Sequence, residues 1–360
     1  MGQLKQPIIF NTAWITLNRI CNLRCKWCYA SETGFSEKDT MTYELASNLI
    51  NFCADCGVER IILIGGEPTL YKDIIPLIKQ IKEQGMISII ITNGLVFENR
   101  DILDRYIEAG IDYISLSIKG NNRQEMLDTT GVDCYDRLAK VLKNLTDSKV
   151  KYSTSQIIDK NSFSTLIDGI KFLRENGAKN INYGFCYNFN YDNNDYYKTY
   201  LKNNNPYEVA YLFKKHYEEI DKALEGCKWT LSNTIPLCAW DENTVQEMNE
   251  KDQIKSICQL QRGGSMVFDP EGNVIPCNVM YPLKLGKYGE DFNDKESYLS
   301  FRNKPEIVKI YKRLRGAPDK ECLSCSKAKN CGGGCVTNWT NYTYQELIGY
   351  LKEDFLKEHK

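Results

Sequence analysis

The sequence has almost no histidine. Its 360 residues include two, His216 and His359, so sites built from several imidazoles, such as multi-histidine zinc sites or di-iron bundles, are nearly excluded. No run of 18 or more apolar residues could span a membrane, and residues 1–10 show no signal-peptide pattern. The net charge is −1, from 46 basic and 47 acidic residues, which argues against a nucleic-acid or membrane partner. We therefore expect a cytoplasmic protein whose metal chemistry rests on cysteine.

Cysteine is abundant, with 15 residues of this type. An odd number of cysteines, in a chain without a secretion signal, favours metal ligands and free thiols over a disulfide framework. One group lies near the N-terminus, a second lies near the C-terminus, and the others are scattered. Cys53 and Cys56 share the apolar face of a predicted helix, which is typical of buried core thiols.

The first half of the chain alternates between short β-branched segments and amphipathic segments. Glycines at 57, 85, 110 and 177 follow predicted helices, as C-cap residues do. Six such units predict an α/β fold, a partial (β/α)6 barrel of the TIM type, with its site at the carboxyl ends of the strands. The predicted strands are 13–17, 60–64, 87–92, 113–118, 151–158 and 180–186, and the predicted helices are 42–56, 73–84, 100–109, 135–146 and 162–175.

The pattern changes after residue 186. Residues 188–206 are rich in Asn and Tyr, which indicates either a solvated loop or a segment that contacts substrate. A helix is predicted over 207–225, and a β-hairpin over 266–276 opens a second module. We expect a barrel domain at 10–225, a cysteine-rich domain at 226–341 and a closing helix at 342–360.

Cys21, Cys25 and Cys28 form a C-x3-C-x2-C motif directly after the first predicted strand. Three thiolates on one short loop can ligate three irons of a [4Fe–4S] cluster and leave the fourth iron open. The alternatives are a zinc site or a ferredoxin-type cluster. Zinc would require a fourth ligand, and no other Cys or His lies within twenty residues of the motif on either side.

This motif, with Trp27 before its last cysteine, resembles the signature loop of the radical S-adenosylmethionine (SAM) superfamily. The resemblance continues at the ends of the next three predicted strands, in Gly65-Gly66-Glu67-Pro68, in Thr92-Asn93-Gly94 and at Ser117. In that family the glycine-rich motif contacts the amino group of SAM, and a serine at the fourth strand lies near its ribose or carboxylate. An ordinary strand-end hydroxyl is the alternative for Ser117, and relatives often carry aspartate where this chain has Lys119.

The resemblance implies a defined chemistry. SAM would bind the open iron of the [4Fe–4S] cluster, and one electron from an external flavodoxin- or ferredoxin-type donor would cleave it. The resulting 5′-deoxyadenosyl radical would abstract a hydrogen atom from the substrate.

The C-terminal cysteines follow the pattern C-x2-C-x5-C-x3-C, at Cys322, Cys325, Cys331 and Cys335. With Cys258, Gly272 and Cys277 upstream, they resemble the SPASM extension of radical SAM enzymes, which holds one or two auxiliary [4Fe–4S] clusters. By that resemblance Cys258, Cys277 and Cys335 belong to a first cluster, and Cys322, Cys325 and Cys331 belong to a second. A zinc site at 322–335 is the alternative.

The family's final cysteine has no counterpart after Cys335, so six ligands are assigned where two clusters need eight. Cys238 is a candidate seventh ligand. A non-cysteine ligand, an open iron and a single cluster all remain as explanations.

The resemblance favours an enzyme that modifies a ribosomally made peptide by crosslinking, thioether formation or epimerisation. A separate leader-binding protein is expected, because no such domain precedes the barrel. Asn278 stands where sulfatase-maturating relatives carry a basic aspartate, which disfavours that reaction. Cys186, at the end of the sixth predicted strand, is either a buried strand residue or a catalytic hydrogen-atom donor. The alternative function is a small-molecule dehydrogenase or epimerase that acts on a sugar or alcohol.

Overall fold

A computed structural model describes residues 10–185 and 206–341 of the chain. Within these ranges one sheet of eleven strands forms the centre of the molecule. The strands are β1 Thr12–Thr16, β2 Arg60–Ile64, β3 Ile87–Thr92, β4 Tyr113–Ile118, β5 Tyr152–Ile158, β6 Asn180–Phe185, β7 Lys228–Ser232, β8 Ile254–Lys255, β9 Ser265–Phe268, β10 Asn273–Val274 and β11 Gly286–Lys287.

The sheet order explains where a site can form. Strands β1 to β8 lie side by side in chain order and are all parallel. On the other side of β1, β9 is also parallel, and β10 and β11 continue the sheet in antiparallel pairing. In the described ranges β8 and β11 are the outer strands. The carboxyl ends of β1 to β8 therefore meet at one edge, and the predicted α/β fold with a partial parallel barrel is confirmed.

Helices follow most of the parallel strands. Side chains cap several N-termini: Thr42 accepts a hydrogen bond from the Leu45 N–H at 3.2 Å, and Asn122 accepts one from the Glu125 N–H at 3.0 Å. The helices are α1 Tyr43–Asp55, α2 Ile74–Glu83, α3 Arg100–Glu108, α4 Arg123–Thr130, α5 Tyr135–Ser148, α6 Leu166–Glu175, α7 Pro206–Ala223, α8 Glu242–Glu250, α9 Gln259–Arg262, α10 Lys295–Arg302, α11 Pro305–Leu314, α12 Ala328–Cys331 and α13 Asn338–Asn341.

The sequence-based predictions of the helices and of the β9–β10 hairpin are confirmed to within a few residues. The C-cap glycines at 57, 85, 110 and 177 have φ angles of 80°, 74°, 92° and 91°, a left-handed conformation that favours glycine. The predicted loop at 188–206 lies almost wholly, and the helix at 342–360 wholly, outside the described residues.

Several features were missed in the sequence, among them helices α8, α10 and α11 of the C-terminal region. The short helix α4 has no continuous apolar face, and its start depends on the Asn122 cap. Strand β7 alternates buried Trp229 and Leu231 with more exposed residues, whereas we expected the continuous apolar strands of a parallel sheet. The parallel sheet therefore extends past residue 225, the expected end of the barrel domain.

The hydrophobic core joins the barrel to the C-terminal region. The ring of Phe52, on α1, lies 6.2 Å from the ring of Phe268 and 5.5 Å from those of Phe292 and Tyr298. Cys53, beside Phe52, is fully buried, as predicted for a core thiol. No helix in the described part of the chain is both long and apolar enough to cross a membrane.

Candidate functional site

A cavity of about 210 Å³ lies at the carboxyl ends of β1 to β5. It brings together the loop after β1, the glycine-rich segment after β2 and the ends of β3 and β4. Pro68 is buried, begins the 3-10 turn Pro68–Leu70 and does not line the cavity. The predicted site residues in the wall are Cys21, Cys25, Trp27, Cys28, Gly65, Gly66, Glu67, Asn93 and Ser117.

The loop that carries the three cysteines is held by the end of helix α4. The Arg24 N–H donates to the Thr130 carbonyl, and the Lys26 N–H donates to the Thr129 carbonyl, both at 3.0 Å. Within the loop, the Cys28 N–H donates to the Cys25 carbonyl at 3.0 Å. These bonds fix the spacing of the loop, so helix α4 is a support that the sequence analysis missed.

The three thiols are close electrostatic neighbours. Burial raises the pKa of Cys21 to about 12, and the charges of Glu67, Cys25 and Cys28 contribute. Burial also raises the pKa of Cys28, with Cys25 contributing and the cation of Lys119 opposing. Thiols in such a place are protonated on their own and lose their protons when they bind a metal.

The donor set fits an iron–sulfur cluster. In residues 10–185 and 206–341 no three His, Cys, Asp or Glu side chains stand close enough to bind one metal ion together. In a [4Fe–4S] cluster each thiolate binds a different iron, so three neighbouring thiols that do not converge on one point match this larger group.

Gly65 and Gly66 lie where another segment of the chain, residues 18–20, approaches too closely for a side chain. A Cβ on Gly66 would collide with the carbonyl oxygens of Arg19 and Ile20, and one on Gly65 would collide with Asn18. The Gly66 N–H donates to the Asn18 carbonyl at 2.9 Å, and the Glu67 N–H donates to the Ile20 carbonyl at 2.7 Å. These contacts join the glycine-rich segment to the start of the cysteine loop. The two glycines thus allow two segments of the chain to pack closely, whereas the sequence suggested only a close approach to the ligand.

Glu67 has a similar connecting role. Its buried carboxylate accepts hydrogen bonds from the Thr69 N–H at 3.1 Å, the Thr69 hydroxyl at 2.7 Å, the Thr92 hydroxyl at 2.5 Å and the Asn93 N–H at 2.8 Å. Most of its acceptor capacity is used inside the chain, although it belongs to the motif that the resemblance places at the amino group of SAM. Thr92 belongs to the Thr92-Asn93-Gly94 tripeptide noted in the sequence, whereas no sequence feature pointed to Thr69.

Three further wall residues lie at the carboxyl ends of β3 and β4. The Asn93 side-chain amide donates to Asn22 in the cysteine loop at 2.8 Å, which joins this loop to the end of β3. Ser117 is half-buried in β4 and pairs with Ser155 of β5. Lys119 also lines the cavity and brings a cation close to Cys28.

The C-terminal cysteines fall into two groups. We name the first the Cys277 group, which contains Cys258, Cys277 and Cys335. Burial raises the pKa of Cys277 to about 12, and the charges of Cys335 and Cys258 contribute. We name the second the Cys331 group, which contains Cys322, Cys325 and Cys331.

The Cys331 group lines a cavity of about 450 Å³ that also contains Cys238. Burial raises the pKa of Cys322, with contributions from the charges of Cys331 and Cys325. The assignment of the two groups to two separate clusters, which the resemblance implies, stays a prediction.

Asn278, next to the Cys277 group, is buried and accepts a hydrogen bond from the Thr16 hydroxyl at 3.2 Å, at the end of β1. This contact places the neutral amide at the carboxyl edge of the sheet. Cys186 lies outside the described residues, directly after the end of β6.

Comparison with known proteins agrees with this geometry. The family model of the radical SAM superfamily matches residues 15–159, which carry the three-cysteine loop and the cavity wall. Among curated proteins, Fe-coproporphyrin III synthase of Methanosarcina barkeri is 28% identical over 158 residues, 44% of this chain and 38% of the relative. A probable GTP 3′,8-cyclase of Sulfurisphaera tokodaii is 25% identical over 166 residues, 46% of this chain and 52% of the relative. The matched segment thus spans about half of these relatives or less.

Solved structures match nearly the whole chain. The structure of Streptococcus suis SuiB bound to precursor peptide SuiA has a TM-score of 0.72 at 18% identity, and the match covers 94% of this chain and 74% of that one. The structure of anSMEcpe with bound AdoMet and Cp18Cys peptide has a TM-score of 0.67 at 16% identity, and the match covers 96% of this chain and 98% of that one. At these identities the likeness concerns the fold. The family match and the site together assign residues 15–159 to the radical SAM superfamily, whose cofactors are S-adenosylmethionine and a [4Fe–4S] cluster.

Proposed function

We propose that this chain is a radical SAM enzyme that takes a hydrogen atom from a peptide substrate. The proposal rests on one observation: three thiols and the ends of β2, β3 and β4 line the same cavity. When bound, the cluster and SAM supply an electron and a 5′-deoxyadenosyl radical, respectively, for hydrogen abstraction. The chain positions these groups and keeps water away from them.

The wall residues have distinct proposed roles. Cys21, Cys25 and Cys28 hold the cluster. Trp27 and Ser117 form part of the SAM-binding wall, from the cysteine loop and from β4. Lys119 places a positive charge where an anionic group of SAM or substrate would be stabilised.

The segments after β2 and β3 give the wall its shape. Gly65, Gly66 and Pro68 fix the backbone of the glycine-rich segment, whose peptide groups would contact the SAM amino group. Glu67 and Asn93 hold that segment to β3 and to the cysteine loop. These residues would act on SAM chiefly through backbone positioning.

The peptide substrate is supported by two similar structures, since both are complexes with a bound peptide. The similarity covers 94% and 96% of this chain, so it includes the C-terminal cysteine region as well as the barrel. Crosslinking, thioether formation and epimerisation are the reactions proposed. Asn278 cannot act as a base, which weighs against sulfatase-type maturation.

The Cys277 and Cys331 groups are proposed to hold one or two auxiliary [4Fe–4S] clusters. An external electron donor of the flavodoxin or ferredoxin type would reduce the protein. A separate leader-binding protein would present the peptide. We propose Cys186 as a hydrogen-atom donor for an epimerising reaction.

A small-molecule substrate is the second candidate function. It is favoured by the curated relatives, whose names specify a GTP cyclase and a coproporphyrin synthase. Their similarity covers only 44% and 46% of this chain, so it is weaker support for a substrate than a match over the whole chain would be.

The proposal is tested by incubating the anaerobically reconstituted protein with SAM and dithionite and measuring 5′-deoxyadenosine. We expect the C21A/C25A/C28A variant to form none, while C227A, a control at a cysteine outside the three groups, retains the parent rate. Deoxyadenosine from the triple variant at the rate of C227A would overturn the proposal.

Mass spectrometry of candidate peptides then identifies the reaction. Loss of two hydrogen atoms indicates crosslinking or thioether formation, and deuterium uptake from heavy water at unchanged composition indicates epimerisation. Modification of a sugar or alcohol but of no peptide would establish the second candidate function instead.

A further inference from the structure

Cys238 lies far from the C-terminal cysteine motif in sequence, yet the fold brings it there. It belongs to the 3-10 turn Leu237–Ala239, which follows β7. The 450 Å³ cavity beside this turn is lined by four cysteines, namely Cys238, Cys322, Cys325 and Cys331. Neither Cys258, Cys277 nor Cys335 lines this cavity. Four thiols at one cavity are the complete protein ligand set of a [4Fe–4S] cluster.

Backbone contacts hold the Cys238 turn against the cysteine motif. The Leu237 N–H donates to the Cys331 sulfur at 3.2 Å across 94 residues of sequence. The Thr234 carbonyl accepts from the Cys335 N–H and from the Asn338 side-chain amide, both at 2.8 Å. The position of Cys238 is therefore set by the same residues that set the motif.

Gly334 shows how closely the two segments approach. Its φ is +74°, and a Cβ at this position would come within 2.7 Å of the Thr234 carbonyl and 2.9 Å of the Pro236 ring. A side chain at Gly334 would push residues 234–238 away from Cys331. The glycine thus permits the approach that brings Cys238 to the cavity.

Cys238 is electrostatically coupled to the other three thiols. Desolvation raises the pKa of the Cys238 thiol to about 11, with contributions from the charges of Cys331, Cys322 and Cys325, although part of the residue is exposed. The cavity wall also carries the cations Arg315 and Lys327 and the carboxylate Glu321. Lys327 forms an ion pair with Glu242 at 2.7 Å.

We propose that Cys238 is the fourth ligand of an auxiliary [4Fe–4S] cluster held by Cys322, Cys325 and Cys331. This inference rests on the part of the proposed function that assigns auxiliary clusters to this region. It places four cysteines at the Cys331 group and leaves three at the Cys277 group among the described residues. An iron without a cysteine ligand would then belong to the Cys277 group.

The test isolates the auxiliary clusters in the C21A/C25A/C28A background, which removes the SAM cluster. After anaerobic reconstitution we expect about eight irons per chain for two four-iron clusters. Adding C238S should lower this by about one iron for a three-iron cluster, or by about four for a lost cluster, and change the EPR signal of the protein. The matched control, C227S, should change neither iron content nor the signal.

A second measurement uses the unsubstituted chain, so it does not depend on the folding of a variant. The reconstituted and cluster-free proteins are treated with iodoacetamide, and the alkylated cysteines are identified by mass spectrometry. Cys238 should be labelled in the cluster-free protein and protected together with Cys322, Cys325 and Cys331 in the reconstituted protein. Labelling of Cys227 should be equal in both.

Three outcomes would overturn the inference: C238S with the iron content and EPR signal of C227S, Cys238 labelled while the other three are protected, or a triple variant without iron. Formation of 5′-deoxyadenosine by the unsubstituted chain distinguishes these failures from failure of the proposed function, because it depends on the SAM cluster.

Discussion

Glu67→Gln tests whether the carboxylate of Glu67 holds the segment after β2 against the end of β3 in the wall of the SAM cavity. Glu67 is 1% exposed, and its two oxygens accept four hydrogen bonds from Thr69, Thr92 and Asn93. Glutamine has nearly the same shape but replaces one acceptor oxygen with a donor. If the amide oxygen keeps the bonds to Thr69 and Thr92, the amide nitrogen must face the Asn93 N–H.

The cost follows from two contributions. The Asn93 N–H loses a charge-assisted bond of 2.8 Å and becomes a buried donor without an acceptor, which costs about 1–3 kcal/mol. The three bonds to the remaining oxygen change from charged to neutral and weaken. Removal of a buried charge recovers part of this loss, so we expect the free energy of unfolding to fall by about 2–4 kcal/mol.

The assay is urea unfolding of the cluster-free protein, followed by tryptophan fluorescence, together with amide hydrogen exchange. Exchange at Asn93 should be accelerated about 30-fold or more, the equivalent of about 2 kcal/mol. Glu83→Gln, at the exposed end of α2, is the matched control and should change stability by about 0.5 kcal/mol or less.

The same variant should bind SAM more weakly after reconstitution, because the segment after β2 loses its attachment to β3. Equilibrium dialysis with labelled SAM measures this. If Glu67→Gln matched Glu83→Gln in both stability and Asn93 exchange, the connecting role of the carboxylate would be refuted.

Three further predictions concern other parts of the chain. Gly66→Ala should destabilise the protein and weaken SAM binding, because the new methyl group meets backbone carbonyls, whereas Gly184→Ala, with neighbours at 3.7 Å or more, should be tolerated. Cys186→Ala should abolish an epimerised product while 5′-deoxyadenosine still forms. Burial alone would raise the pKa of Asp112, but hydrogen bonds from Ser88 and Lys82 lower it, so Asp112→Asn should lower stability at pH 7.

The pH dependence of the Asp112 effect has a definite sign. A carboxylate with a lowered pKa stabilises the fold above its ordinary pKa of about 4, and this stability is lost as the pH falls through the folded-state value. The difference in urea midpoint between the parent and Asp112→Asn should thus shrink below about pH 4. An equal difference at pH 7 and pH 3 would contradict this.

The predictions for Gly66→Ala and Cys186→Ala can also be refuted by a clear result. Equal SAM affinity for Gly66→Ala and Gly184→Ala would show that the close approach of Arg19 and Ile20 is dispensable. Undiminished epimerisation by Cys186→Ala would remove this cysteine as the hydrogen donor.

The sequence alone determined the features that depend on local pattern. Alternating strand and helix segments, ended by C-cap glycines, gave the parallel sheet, because periodicity and turn chemistry act over a few residues. The spacing of Cys21, Cys25 and Cys28 gave the cluster motif for the same reason, since three ligands on one loop are close in any fold. The resemblance of the C-terminal cysteines also predicted their division into two groups.

The tertiary structure decided what each residue contacts across the chain. Glycine is needed at position 66 because the carbonyls of Arg19 and Ile20 approach it closely. The carboxylate of Glu67 accepts hydrogen bonds from Thr69 and from Thr92 of β3. Sequence spacing carries no information on such approaches, because they are set by how distant segments pack. Cys238 shows this most clearly: as an isolated cysteine it had no definite partner, and the packing of its turn against Cys331, 94 residues after Leu237, places it with three other thiols.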